Sequence, residues 1–336
     1  MEKRRERIDR GVKARAVGIF TLWSWREMIF VSGPRLLMIL ALAFLPVILD
    51  DYLRKVLLSV ALYALLGISW SLMAQCGMIS LGQSLFFGIG GYLSGIMNHY
   101  WGWPVYFTIP IATLWGGFLG TLILLPTLRL RGVYFAMLTL MIPLIITRII
   151  EATRIFGGTE GLHGLSSFGL VWEVFLLYLM LAALVISLFG CMRLMDSNFG
   201  LVIKAIHDND RSVISSGIYL NWYKTRALFI ASCMGAFCGA FMTHIYRFVG
   251  MPAFSLDYCI MPLAANVVGG FGNFAGSVLG AFIIVPISEF LRGVGGLRIA
   301  FYGLFLVIFS ITLPEGLFNF LERKYNQFEH YVTVEK

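Results

Sequence analysis

Stretches of roughly 14–22 apolar residues recur along this 336-residue chain, close to the ~20 that a helix needs to cross a hydrocarbon core about 30 Å thick. Hydrophobic residues fill 59% of positions, whereas a soluble domain holds about 45–50%. So little polar surface cannot cover a water-facing globule. Inside lipid every backbone polar group must be paired within the protein, which leaves helices or closed barrels. The apolar stretches lack period-two alternation, so helices are the solution. The fold class predicted is all-α, a polytopic helical membrane protein.

About ten spans are expected, near residues 35–50, 56–75, 78–98, 104–126, 133–150, 172–191, 227–247, 257–271, 274–291 and 298–314. The first is short and contains Pro46. The third and eighth are rich in glycine, so either can be broken or re-entrant, and nine or eleven spans are the neighbouring counts. Charge then orients the chain. With both termini cytoplasmic, segments 1–35, 127–132, 192–226 and 315–336 face inward and hold 19 of the 26 Lys and Arg residues. That bias fits the positive-inside rule. It also places "NHYWGW" (Asn98 to Trp103) outside as an aromatic belt.

The net charge of +8 has a strong contribution from the start, where segment 1–35 holds nine of the basic residues, as in "MEKRRERIDRGVKARA". Topology setting and attraction to anionic lipid account for this basic head, residues 1–33, without nucleic acid. It is too long, and too far from a small-residue cleavage site, for an ordinary signal peptide. Val17 to Phe30, with Trp23 and Trp25, reads as an interfacial helix.

No phosphate loop, zinc-protease motif or nucleophile elbow occurs. The five cysteines (76, 191, 233, 238, 259) lack C-x-x-C spacing and read as small buried residues. The five histidines (99, 163, 207, 244, 330) are scattered, so neither an enzyme nor a metal site assembles. Ionisable residues within spans are costly and often functional. Arg148, His244 and Glu289 lie near span ends, where snorkelling to the interface is the alternative; that alternative is weakest for the short Glu289.

Glycines four apart share one helix face and let backbones approach. Such pairs are Gly91/Gly95, Gly116/Gly120, Gly235/Gly239 and Gly276/Gly280, which predicts a tightly packed bundle. In "GMISLGQSLFFGIGGYLSGI" the small and polar residues Ser80, Gly82, Gln83 and Ser84 stand where lipid would favour leucine. Exposed polar groups are expensive in hydrocarbon, so this end is expected to face the interior. A translocation path and simple interhelical bonding both satisfy that. The outside loop "FGGTEGLHGL" offers no defined chemistry.

The largest polar interruption is residues 192–226, containing "LVIKAIHDNDRSVISSGIYL". Ile203, Ile206, Val213, Ile214 and Gly217 lie roughly at helical spacing, with Asp210 breaking the stripe. Asp208, Asn209 or Asp210 can cap a second short helix, and Gly217 can end it. Either this is a plain surface loop, or it docks a partner with its apolar stripe inserted into a groove.

Taken in order, "LYALLGISWSLMAQCGMISLGQSLFFGIGGYLSGI", "LRLRGVYFAMLTL", "FGGTEGL", "FGLVIKAIHDNDRSVISSGI", "VVGGFGNFAGSVLGA" and "LPEGL" resemble the blocks of LivM-type permeases. These are membrane subunits of ABC importers for branched-chain amino acids. The resemblance covers residues 35–320, giving a permease domain over 34–320 and a cytoplasmic tail over 321–336. It implies that Lys204, Ala205, Ile206, Asp208, Asn209, Asp210, Arg211 and Gly217 belong to a loop coupled to an ATPase. Family members commonly carry Glu and Ala shortly before the loop's glycine; here Ser215 and Ser216 stand there. The resemblance likewise implies a translocation path near Ser80, Gly82, Gln83 and Ser84; Glu289 is a further candidate.

The partners implied are two ATP-binding subunits, a second homologous permease or a copy of this chain, an extracytoplasmic solute-binding protein, and membrane lipid. The chain itself needs no cofactor, since ATP binds those subunits. The location implied is the cytoplasmic membrane of a bacterium or archaeon. Related permeases move urea, short amides or small aromatic acids, and an ion-coupled carrier or a non-transporting scaffold are the other classes.

Overall fold

The computed structural model describes residues 44–130, 132–168, 173–291 and 315–327, with short pieces at 303–304, 307–309 and 311–313. The basic head and its expected interfacial helix lie outside the described residues, as do most of the expected spans 35–50 and 298–314.

The helices include α1 (Asp51–Gln75), α2 (Gln83–Trp101), α3 (Val105–Leu124), α4 (Val133–Thr153), α5 (Glu173–Met195), α6 (Asn198–Asp208), α7 (Asp210–Ser215), α8 (Leu220–Tyr246), α9 (Asp257–Gly269), α10 (Phe274–Phe290) and α11 (Leu317–Gln327). Two short strands, β1 (Leu162–His163) and β2 (Phe248–Val249), pair antiparallel with Leu162 opposite Val249.

Six helical segments among the described residues are long and apolar enough to cross a membrane. They are Asp51–Gln75, Val105–Arg129, Val133–Thr153, Val174–Met195, Leu220–Tyr246 and Met251–Gly269. α10 is apolar but shorter. α2 is outside the set, opening on Gln83 and Ser84 and carrying glycines 88, 90, 91 and 95.

α1 is the axial element. Every residue from Ala64 to Met73 is buried, as befits a helix packed on all sides. α8 runs antiparallel to it, with Cys238 beside the Leu62 carbonyl and Ala231 beside Ser69. α2 lies parallel to α8, with Phe86 against Gly235, Gly90 against Ala236 and Gly95 against Val249. α3 closes this group, placing Gly116 on Ala236, Gly117 on Cys233 and Gly120 on Ser232. A methyl at Gly90 or Gly239 would run into the backbone of Ala236 or Phe87, so the main chains meet with no side chain between them.

On the other side of α1, α9 and α10 form an antiparallel hairpin. Gly269 meets Gly276 and Gly280 meets Ala265. α5 also packs on α1, while α4 is peripheral, with Val133, Tyr134, Met137, Met141 and Ile145 exposed.

The helix directions define two ends. The β1–β2 end carries Arg54, Lys55, Arg148, Arg154 and Arg247. The α6–α7 end carries Arg129, Arg193, Lys204, Arg211, Lys224, Arg226, Arg323 and Lys324.

Candidate functional site

α1 stops at Gln75 and α2 begins only at Gln83, so residues 76–82 return into the bundle without forming a helix. The expected span at 78–98 is therefore broken at its start. Non-helical backbone at such depth survives only where its polar groups find partners, and the surrounding helices supply them. Trp70 donates its indole N–H to the Ser80 carbonyl at 2.6 Å. The Leu81 N–H reaches Thr139 Oγ1 at 3.0 Å and the Gly82 N–H reaches Ser80 Oγ at 3.1 Å. Ser69 Oγ lies 3.1 Å from Gln83 Oε1 and 3.0 Å from the Ala231 carbonyl, joining α1, α2 and α8. Cys259 of α9 lies 3.1 Å from Ser84 Oγ. Close by, Asn266 donates to the Gly67 carbonyl at 2.9 Å and accepts from Ser277.

Ser80, Gly82, Gln83 and Ser84 thus share one buried polar node. Glu289 does not join it. Ser277 of α10 sits against Gly67, and Glu289 is twelve residues further along, about 18 Å by helical rise. Glu289 is half-buried near the β1–β2 end.

The polar interruption folds into α6 and α7, two short helices across one end of the bundle. Asn209 caps α7, accepting from the N–H groups of Arg211 at 3.0 Å and Ser212 at 3.4 Å. Gly217 then closes it with φ of +78°. The Gly217 N–H donates to Ile214 and the Ile218 N–H to Val213, which is the Schellman pattern.

Most of the apolar stripe does not face outward, although Ile214 and Gly217 are exposed. Ile203, Ile206 and Val213 are buried in this chain, which removes these three from any stripe that could enter a partner's groove. Ile206 of the predicted coupling set is therefore a packing residue. The exposed face holds Lys204, Ala205, Asp208, Asn209, Arg211, Ile214 and Gly217, while Asp210 is half-buried.

Three further residues are brought in by the structure alone. Lys224, in the first turns of α8, is buried, and its Nζ lies 3.4 Å from Asp210 Oδ2. Trp70 and Asn266 pin the interior backbone described above.

His244 is fully buried, and its expected alternative of snorkelling does not hold. Nδ1 faces the Ser166 carbonyl at 2.8 Å and so carries the proton. Nε2 receives Ser94 Oγ at 2.8 Å and lies 2.9 Å from Thr108 Oγ1. Asn98 ties the same loop by accepting from the Ser166 N–H. Arg148 is 81% exposed and pairs with Glu151 at 2.7 Å. Among the described residues no cluster of His, Cys, Asp and Glu could hold a metal ion.

This arrangement joins two features. It has an exposed polar face at one end and a buried polar node beneath it. The family of branched-chain amino acid transport system permease components matches residues 52–313. The high-affinity branched-chain amino acid transport system permease protein LivM of Escherichia coli (strain K12) is 28% identical over 286 residues, 76% of this chain and 67% of that protein. The LivM protein of Salmonella typhimurium (strain LT2) gives the same 28% identity over the same shares. The probable LivM permease of Methanocaldococcus jannaschii is 25% identical over 191 residues, 54% of this chain and 55% of its own length. No solved structure matches. With the family match running from the start of α1 through the helical piece that precedes α11, this chain belongs to the branched-chain amino acid transport permease family.

Proposed function

We propose that this chain is the membrane-spanning permease subunit of an ABC importer that moves branched-chain amino acids into the cytoplasm. The observation that carries the reading is the similarity to LivM permeases over 76% of the chain, on a bundle with six membrane-capable helices. The sequence contains no phosphate loop, so ATP is hydrolysed on separate subunits. A solute-binding protein delivers the substrate. The complex holds two ATPase subunits and a second permease, in the cytoplasmic membrane of a bacterium or archaeon.

The α6–α7 end faces the cytoplasm, since it gathers the larger share of Lys and Arg. The six spans, joined by α2, α10 and the expected spans 35–50 and 298–314, make ten crossings with both termini inside. The loop from α6 to Gly217 docks the ATPase through Lys204, Ala205, Asp208, Asn209, Arg211 and Gly217. Ser80, Gly82, Gln83 and Ser84 line the path in its inner half and Glu289 stands in its outer half. All four inner residues are buried here, so that path opens only when helices part. ATP binding biases the two states through differential contacts at the loop.

The test is purification of the tagged chain in mild detergent from its native membranes, followed by reconstitution with its partners. ATP-dependent leucine uptake that persists when ion gradients are collapsed is expected. Uptake that follows an ion gradient and ignores ATP would overturn the reading.

A further inference from the structure

Lys224 is the one Lys, Arg, Asp or Glu that is buried among the described residues. Its side chain is 6% exposed and that of its partner Asp210 is 16% exposed. The two sit on different helices. Asp210 opens α7, held there by the Asn209 cap. Lys224 belongs to α8, on the face continued by Ala227, Leu228, Ala231 and Ser232 into the centre of the bundle.

The pair also borders a cavity of about 200 Å³ shared with His207 of α6, Gly77 and Met78 of the non-helical segment, and Phe135 of α4. One small space is thus walled by the loop helices, the foot of α8 and the start of the segment that carries Ser80 to Gly82.

A buried ion pair contributes little net stability compared with well-packed apolar side chains, because both charges lose water. Pulling such a pair apart inside the protein is unfavourable, because each charge moves away from its opposite while still shielded from water. A joint with that property is poor glue but a good tether: the helices it links must move together.

We propose that the Asp210–Lys224 pair is the joint through which motion of the α6–α7 loop is passed to α8. From α8 the displacement reaches the polar node, because Ser69 Oγ is shared between the Ala231 carbonyl at 3.0 Å and Gln83 Oε1 at 3.1 Å. The proposal rests on the reading of α6–α7 as the ATPase-docking loop. It assigns Lys224 and Asp210 a positioning role, with no contact to substrate or nucleotide.

The intact importer, purified through the tagged chain and reconstituted in liposomes, provides the test. Leucine uptake per ATP hydrolysed is measured for the wild type, Lys224→Met, Asp210→Asn, the double Lys224→Met/Asp210→Asn, and the swap Lys224→Asp/Asp210→Lys. The single variants keep the ATPase subunits bound and hydrolysing, while uptake per ATP falls roughly fivefold or more, the low end of coupling between linked sites. The double loses no more than either single, because the residues act as one unit, and the swap regains part of the loss.

Unchanged uptake per ATP in the single variants, or losses that simply add in the double, overturns the joint. A role in stability alone would lower the yield of complex and leave the ratio intact, which also overturns it. If no ATPase subunit copurifies with the wild type, the docking reading itself fails, and that result is distinct from the others.

Discussion

The indole of Trp70 and the carbonyl of Ser80 are joined at 2.6 Å, ten residues apart in sequence, across the point where helix gives way to extended chain. Trp70 is buried on α1, so no water stands ready to replace it. Trp70→Phe keeps most of the ring and removes the donor. The orphaned carbonyl then costs about 1–3 kcal/mol. A lower melting temperature of the detergent-solubilised protein is expected, together with faster hydrogen exchange in residues 76–82.

Glycines of equal composition should differ sharply under the same substitution. At Gly90 an added methyl meets the backbone of Ala236, whereas at Gly190 it meets nothing. Gly90→Ala therefore destabilises, by about 1–3 kcal/mol as overpacking does. Gly190→Ala leaves stability unchanged or raises it by up to about 1 kcal/mol, since it only stiffens a helix. Paired thermal melts decide this.

Gly217 sits at φ of +78°, with an added methyl meeting no neighbour. The penalty of Gly217→Ala is therefore conformational, about 1–2 kcal/mol for a left-handed residue with a Cβ. It falls on a loop end rather than on the bundle. Melting of the whole protein should barely move, while the yield of copurified ATPase subunit falls. Asn209→Ala, which removes the cap of the same short helix, should weaken the loop by about 1 kcal/mol and lower the same yield.

His244 touches three elements at once, with Ser94 on α2, Thr108 on α3 and Ser166 in the loop before α5. His244→Phe fills similar space and abandons all three contacts. Exchange protection around Ser166 and Ser167 should fall, and stability should drop by about 1–3 kcal/mol. Exchange measured by mass spectrometry locates the effect, and an unaltered loop would contradict it.

The spans were legible because hydrocarbon imposes one length scale on sequence, and α1, α3, α4, α5 and α8 all respect it. The break at 76–82 was half legible: small and polar residues marked the stretch, but the partners that Trp70 and Thr139 supply from the neighbouring helices could not be read from it. Lys224 was hidden by its setting in a charged stretch read as exposed. A signal did exist. Lys224, Ala227, Leu228 and Ala231 share a helical face, which places the lysine on the buried side. His244 follows Ala240 and Phe241 in the same manner. The direction of the Ile203, Ile206 and Val213 stripe depends on which surface lies beneath the loop, and no residue within the loop encodes that.

The seam between α2 and α8 has a consequence of its own. Side chains that interlock can change rotamer and let two helices slide, but here Gly90, Gly91 and Gly239 have none to turn. A slip of one turn would drive Phe86 or Phe87 into a space that only a hydrogen atom now fills. The seam has a single register, and with α3 bound through Gly116 and Gly120 the three helices travel as one block. The α9–α10 hairpin is closed in the same way, Gly269 on Gly276 and Gly280 on Ala265, so what is left to rearrange between the two blocks is the ordinary side chains of α1.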